Sequence, residues 1–363
     1  MIIKELSNGD SVIASDYVLQ IQFKEKRSVL STCAANGGFQ TNLTGVYNYD
    51  SSHNQTIYSN MKADTIEEHM NVISRELGFD YRTTCGMCTS AQMKNVAIKE
   101  AVFRSVTVTA IVTAGIDING GRAGDPASWF EEDGLIHLLE GTINIILVID
   151  ANLPDGVLAT ALMTATEAKV AAIQELLLPS KYSMGLATGS GTDKVIIIAS
   201  PNAKECLTDA GKHSKLGELI GTTVIAAVKE ALYKQTSVDY ERQHSMISRM
   251  ERFGITSQWM EDFLQNQNLT NYAQMKQFME HICQDSKIVT YTSLYAHLID
   301  QYMWGLLKEE EVKESAVLLL NCMMQPYGNC NLISMEIYLK DFVAQLVDCY
   351  KKAILSILEH HFT

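Results

Sequence analysis

The chain has 363 residues, enough for a sizeable core and two domains, and its 47% hydrophobic and 20% charged residues mark it as globular. A formal charge of −13 excludes a general nucleic-acid binder, which needs a basic surface to displace counterions, and gives no attraction to an anionic membrane. Charges interrupt every apolar run of the first twenty residues, so no signal peptide is read. No stretch is read as reaching the roughly 20 apolar residues of a membrane helix, and a cytoplasmic location is expected.

In chain order, DYVLQIQF (16–23) alternates as a strand, and the stretch leading into NGGF (36–39) suggests an antiparallel hairpin. Cys85-Gly86-Met87-Cys88 is a lone CxxC without a second pair or a His cluster close in sequence, so the eight scattered cysteines read as buried thiols rather than as a metal or redox site. VTVTAIVTAG (106–115) is a strand that runs into a Gly-rich loop, TAGIDINGGRAGDPA (113–127). TINIILVID (142–150) is the next strand, with Ile143, Ile145, Leu147 and Ile149 on one face and Thr142, Asn144, Ile146, Val148 and Asp150 on the other. A long helix follows over 155–177, then the loop LATGSGTDK (186–194), then the strand DKVIIIAS (193–200). Strands in succession and strands beside helices predict an α/β fold, an α+β layered sandwich with mixed sheets flanked by helices.

Beyond about residue 236 the grammar changes. Only three of the 22 glycines lie there against nine of the 16 methionines, and apolar residues recur at three and four. Residues 236–363 are read as an all-α C-terminal domain of open role, following an α/β domain over 1–235.

Candidate chemistry lies in the first domain. On the helix, Leu158, Leu162, Ala165, Lys169, Ala172 and Leu176 share one face. Lys169 either snorkels to water or, if enclosed, serves as a base or oxyanion partner. Glu167 is expected to face elsewhere. Thr142 and Asn144 stand roughly 7 Å apart on one strand face, close enough to serve one centre, whereas Asp150 is roughly 26 Å away and ends the strand. The loop around Asn119, Gly120, Gly121, Arg122 and Asp125 can present backbone N–H donors to an oxyanion, or can be a plain turn. In the second loop, Thr188, Gly189, Gly191 and Thr192 suit close backbone approach to a ligand, and Asp193 either orients a catalytic group or caps the loop.

VTAGIDINGGRAGDPA, GTINIILVIDANL, TATEAKVAA and ATGSGTD, in this order and spacing, resemble the adenosylcobinamide amidohydrolase (CbiZ-type) family. STCAANGGF and CGMCTSAQM resemble its earlier blocks, and the likeness spans roughly residues 20 to 233. It implies hydrolysis of the aminopropanol amide of adenosylcobinamide to adenosylcobyric acid, in corrinoid salvage for cobalamin synthesis. The substrate brings its own cobalt, so no protein-bound metal or other cofactor is implied; a homo-oligomer is possible. More distantly, TINIILVIDA resembles the nucleophile strand of self-processing Ser/Thr hydrolases of the ornithine acetyltransferase and nylon-oligomer hydrolase type. That likeness makes Thr142 the nucleophile, Asn144 or the loop at Asn119 the oxyanion support, and Lys169 and Asp193 supporting groups. It also implies that the Thr142 hydroxyl lines a pocket large enough for a corrin ring. Whether the chain is cut before Thr142 stays open; an uncut chain offers no free α-amine and needs a base such as Lys169, Glu167 or an activated water. The rival readings are a corrinoid-binding protein without chemistry, and an amidase or aminopeptidase for smaller amides.

Overall fold

Two units divide the chain, Met1–Asp239 and Tyr240–Thr363. The computed structural model describes residues 1–52, 62–127, 141–266, 272–328, 330, 332–335 and 341–362. In chain order the first unit contains β1 (Ile2–Glu5), β2 (Ser11–Ala14), β3 (Val18–Gln22), β4 (Ser28–Ser31), β5 (Gly38–Gln40), β6 (Gly45–Asp50), α1 (Ile66–Glu76) and β7 (Thr84–Thr89). There follow β8 (Ala97–Phe103), β9 (Val106–Ala114), β10 (Gly120–Gly121), β11 (Ile143–Ile149), α2 (Asp155–Glu175), β12 (Gly189–Ser190), β13 (Lys194–Ala199) and α3 (Lys215–Thr236).

The strands form a five-stranded sheet in the order β1-β2-β3-β6-β7 and a six-stranded sheet in the order β5-β4-β13-β11-β9-β8. Both are mixed, because β6–β7 and β11–β13 pair in parallel while their other neighbours are antiparallel. Each parallel pair is joined through a helix, as the geometry of parallel strands demands: α1 lies between β6 and β7 in sequence, and α2 between β11 and β13.

Strand alternation sets the layers. Ile143, Ile145, Leu147 and Ile149 pack with Leu158, Ala161, Ala165 and Ala172 of α2 and Ile220, Val224 and Val228 of α3. Ile146 and Val148, on the opposite face, pack with Val46, Cys85 and Met87 of the five-stranded sheet. Tyr47 and Tyr49 turn outward from that sheet to Met70 and Ile73 of α1. The result is a four-layer sandwich, helix–sheet–sheet–helices, in which every residue of β9 and β11 is buried. Strands covered on both faces carry the near-continuous Val/Ile runs seen here.

By length and composition α2 is apolar enough to cross a membrane, contrary to the reading that no stretch approaches that length. Its many alanines, with Val, Leu, Met and Ile, raise its hydropathy, and its apolar side packs on the six-stranded sheet as a core helix does. The CxxC falls on β7, where residues three apart face opposite ways. Cys85 enters the space between the sheets while Cys88 packs toward α1, so the two do not form a ligand pair. No disulfide joins any of the eight cysteines, and Cys206 is exposed rather than buried.

Among its described residues the second unit is helical throughout: α4 (Tyr240–Gln243), α5 (Met246–Met250), α6 (Ser257–Asn266), α7 (Tyr272–Gln284), α8 (Ser286–Met303), α9 (Glu309–Met324) and α10 (Phe342–Phe362). Asp285 caps α8, its Oδ1 accepting from the backbone N–H groups of Lys287 and Ile288 at 2.9 and 3.0 Å. Its core is Met-rich, with Met246, Met250, Met279 and Met323 among Ile299, Leu346 and Ile357. The helical segment expected from Ser334 onward includes residues 336–340, which lie outside the described residues.

Candidate active site at the head of the central strand

The residue before β11 sets the local geometry. Gly141 has φ +95°, a conformation side chains disfavour, and a Cβ there would lie 2.6 Å from Asn119 Oδ1. Its N–H donates to Ser90 Oγ at 3.0 Å. Its carbonyl oxygen accepts from two groups, Asn119 Nδ2 at 2.8 Å and Thr192 Oγ1 at 2.9 Å. Thr142 Oγ1 lies 2.7 Å from Thr192 Oγ1. A hydroxyl has one proton to give. Because Thr192 gives its own to the Gly141 carbonyl, Thr142 must donate to Thr192. The Thr142 hydroxyl, Thr192 and the Gly141–Thr142 peptide carbonyl therefore form one directed proton path.

Asp193 fastens this arrangement. Its Oδ1 accepts from Ile143 N at 2.9 Å and Ser190 Oγ at 2.6 Å; its Oδ2 accepts from Ser190 N at 3.1 Å and from the Lys169 ammonium. Four donors fill the roughly four lone-pair sites of a carboxylate. Asp193 thus has no free acceptor with which to act as a base, and it positions the head of β11. Lys169 is enclosed rather than snorkelled, with its side chain 9% exposed and its charge committed to Asp193.

The two glycine loops meet. Gly120–Gly121 and Gly189–Ser190 pair antiparallel as β10 and β12, which neither loop predicts alone. Gly189 is required by space, because a Cβ there would lie 2.4 Å from Asp193 Oδ2 and 2.6 Å from Lys169 Nζ. Beside this ribbon opens a cleft of about 540 Å³, lined by the expected Gly121, Arg122, Asp125, Lys169, Thr188, Gly189, Gly191, Thr192 and Asp193, and also by Ala123, Tyr182 and Ser190. Asp125 anchors its edge. Burial pushes the carboxyl upward, but hydrogen bonds from Ser180, Ser183 and the Arg122 backbone outweigh that and hold it below its ordinary value. Thr188 Oγ1 accepts from Ala123 N at 2.9 Å, tying the loops together.

Other expected residues lie elsewhere. Gly120 is buried within the ribbon and Asn119 before it, and Asn119 acts on the Gly141 carbonyl instead of lining the cleft. The Thr142 hydroxyl is itself buried, 2% exposed, and reaches the cleft through Thr192 rather than lining a pocket of corrin size. Asn144 points between the sheets, where its Nδ2 donates to Asn48 Oδ1 at 2.8 Å and Cys88 O at 3.0 Å; no hydrogen bond links it to Thr142. Glu167 stands apart, exposed on α2 and paired with Lys212 at 2.5 Å. It is two residues from Lys169, and that spacing turns it off the buried face.

Several participants carried no local signal: Asn48, Ser90, Thr113 and Lys194. Asn48 Nδ2 donates to Thr113 Oγ1 at 2.8 Å. Lys194 is in register with Asn144 on the adjacent parallel strand and so shares its face. Its positive charge acts to lower both the Cys33 and Cys88 thiols. For Cys33 a hydrogen bond with Cys85 and burial prevail and push the thiol up, and burial does the same to Cys88. Two carboxamide oxygens here, Asn119 Oδ1 and Asn144 Oδ1, are buried with no hydrogen-bond partner. Each costs about 1–3 kcal/mol. Among the described residues no group of three or more His, Cys, Asp or Glu is placed to hold a metal ion.

Fold and site together define a four-layer α/β sandwich with a threonine–carboxamide centre at the head of a central strand, beside a glycine-walled cleft. The family model for adenosylcobinamide amidohydrolase matches residues 3–240, and the chain belongs to that family. An uncharacterised protein of Methanocaldococcus jannaschii is 34% identical over 241 residues, covering 63% of this chain and 91% of that protein. An adenosylcobinamide amidohydrolase of Methanosarcina mazei is 30% identical over 174 residues, covering 46% of this chain and 74% of its own. A solved β-aminopeptidase from a Burkholderia species aligns over 68% of this chain and 82% of its own at 13% identity, with a TM-score of 0.30, too low to bear on the site.

Proposed function

We propose that the protein hydrolyses the aminopropanol amide of adenosylcobinamide, giving adenosylcobyric acid and aminopropanol, with Thr142 as nucleophile. The observation that carries the mechanism is the pair of donors on the Gly141 carbonyl. Asn119 Nδ2 and Thr192 Oγ1 are arranged as an oxyanion site is, and that site is filled by the chain's own peptide.

The arrangement supports a preliminary cut at Gly141–Thr142. Thr142 Oγ attacks the Gly141 carbonyl carbon, its proton passing to Thr192. The C–N bond breaks and the nitrogen takes up a proton, leaving an ester. Water then splits the ester into a Gly141 carboxylate and a free Thr142 bearing an α-amine. That amine is the base the intact chain lacks, and it brings N–H donors to a region where Asn119 and Asn144 each hold an unpaired acceptor.

Turnover repeats the chemistry on substrate. The Thr142 hydroxyl attacks the side-chain amide, its proton moves through the α-amine to the leaving aminopropanol nitrogen, and the oxyanion takes the place of the Gly141 oxygen. Water releases the corrinoid carboxylic acid and restores Thr142. Cobalt enters and leaves with the substrate.

Incubation with adenosylcobinamide should yield adenosylcobyric acid by mass, and intact-mass measurement of active protein should show fragments 1–141 and 142–363. Absence of the acid overturns the substrate reading; full-length chain in fully active protein overturns the cut alone. The cleft's size favours one second reading, hydrolysis of smaller amides, which would be seen as turnover of short amides in preference to the corrinoid.

A further inference from the structure

The rim of the cleft is more elaborately built than the inner chemistry requires. Residues 179–186 fold back on themselves, with Pro179 bridging Leu186 and Ser180 N donating to Gly185 O at 2.9 Å. Lys181 N donates to Gly120 O at 2.7 Å, which docks this turn on the ribbon. The Tyr182 ring lies against Gly121, whose Cβ position would be 3.5 Å from it, yet the residue is 39% exposed. The stem of Arg122 crosses Gly185 so closely that a Cβ there would meet Arg122 Cδ at 2.7 Å.

Arg122 is exposed, and its charge also helps hold the nearby Asp125 carboxyl below its ordinary value. The nearby Asp125 carboxylate is occupied by Ser180 Oγ at 2.6 Å and by the Arg122 backbone N–H at 2.8 Å. Backbone hydrogen bonds thus hold together two loops that bring an aromatic ring and a cationic set of donors to one partly exposed cleft rim. Such a pair suits a flat conjugated ligand fringed with carbonyl acceptors. Size points the same way. At about 540 Å³ the cleft suits a drug-sized group, for which pockets span roughly 300–1,000 Å³. An adenosylated corrinoid is larger than that.

We propose that Tyr182 and Arg122, at the rim of the cleft, form a platform on which the substrate's macrocycle rests, while the inner part beyond them admits only the side arm that carries the scissile amide. This rests on the corrinoid reading above and adds a division of labour to it.

The test uses whole protein and two partial ligands: cobyric acid, which is the macrocycle without its aminopropanol, and N-acetyl-1-amino-2-propanol, which is the amide end of the arm without the macrocycle. Tyr182→Ala should weaken cobyric acid binding in equilibrium dialysis by about tenfold, the effect of a stacking contact worth about 1.4 kcal/mol. Tyr182→Phe should keep it. Arg122→Ala should weaken it by a similar factor, with Arg122→Lys restoring it only in part. For adenosylcobinamide the loss should fall mainly on KM, and kcat/KM for the short amide should fall by a clearly smaller factor than cobyric acid binding does. Unchanged cobyric acid binding and KM, or equal losses on both ligands, would overturn the platform. Wild-type protein that neither binds cobyric acid nor hydrolyses adenosylcobinamide would overturn the corrinoid reading and the platform with it.

Discussion

Two buried ion pairs in the first unit show what separates a structural region from a working one. Asp10 and Arg27 are sealed, their side chains 1% and 2% exposed, and two parallel hydrogen bonds of 2.8 and 3.0 Å join them. Arg27 also donates to the backbone carbonyls of Asn8 and Lys26 and lies 3.9 Å from the Glu25 carboxylate, and Asp10 also accepts from Asn8 Nδ2 and Lys24 N, so every partner belongs to the loops beside β2 and β4. Lys169 and Asp193 lie at the floor of the cleft, and only one of the four bonds to Asp193 comes from the lysine. The other three go to Ile143 and Ser190, the neighbours of the reacting hydroxyls. The first pair holds a fold; the second holds a strand end at a chosen position. Position in the cation–anion network distinguishes them more than burial does.

Substitutions can break or sharpen this contrast. The largest effect is expected for Thr142→Ala, which should leave a single uncut chain with turnover lowered by about 10⁴-fold or more. Its melting temperature should not depend on protein concentration, as that of a cut, two-chain protein does. Residual turnover near the wild-type level would remove Thr142 from the chemistry. Asp193→Asn should lower kcat by about 10²–10³-fold, the cost of losing an electrostatic anchor at a preorganised site, and leave Lys169 unpaired. Asp10→Asn should do the reverse: about 3–5 kcal/mol of stability lost in chemical denaturation, as for a broken buried pair, with kcat of the surviving folded protein unchanged. Similar kinetic damage from both would erase the distinction.

A smaller effect concerns pH. The Asp125 carboxyl titrates below its ordinary value of 3.8 in the folded chain. Its ionised form therefore contributes stability that is complete above that value and is lost as pH falls through the lowered one. Cobyric acid binding should hold from pH 5 down to about 3.8 and weaken only as the pH falls on through the lowered value, and Asp125→Asn should flatten that acid limb. The smallest effect is expected for Glu167→Gln. Loss of an exposed pair with Lys212 should cost under about 1 kcal/mol and leave kcat within about twofold; a large kinetic loss would place Glu167 in the site after all.

Much of the layering was legible in the sequence because it depends on local alternation. β9, β11 and β13 announce themselves as β-branched runs, and the faces assigned to Ile143 and Asn144 hold in the structure. Alternation names a face without naming what covers it, which is why Asn144 was expected beside Thr142 at the site and instead meets Asn48 from the other sheet. Lys169 stood out because an ionic group interrupted an apolar stripe. Asp193 stood out as well, but not as its ion-pair partner, because it is 24 residues on and closes the pair only after β13 lies beside β11. The glycine ribbon escaped for another reason: its two-residue strands have too few side chains to show any period. Ser90 and Thr192, each about fifty residues from the peptide they hold, are ordinary hydroxyls until the sheets bring them together.

The seam between β9 and β11 has one further consequence. Seven residue pairs join these strands, and a break at Gly141–Thr142 would put β9 on one polypeptide and β11 on the other. The mature protein would then be a heterodimer whose subunits share the middle of a single sheet, with no surface at which they part without unfolding. Its melting temperature would rise with protein concentration, as for any folded state made of two molecules. Once denatured, each half would have to find its counterpart by diffusion, so recovery would slow on dilution.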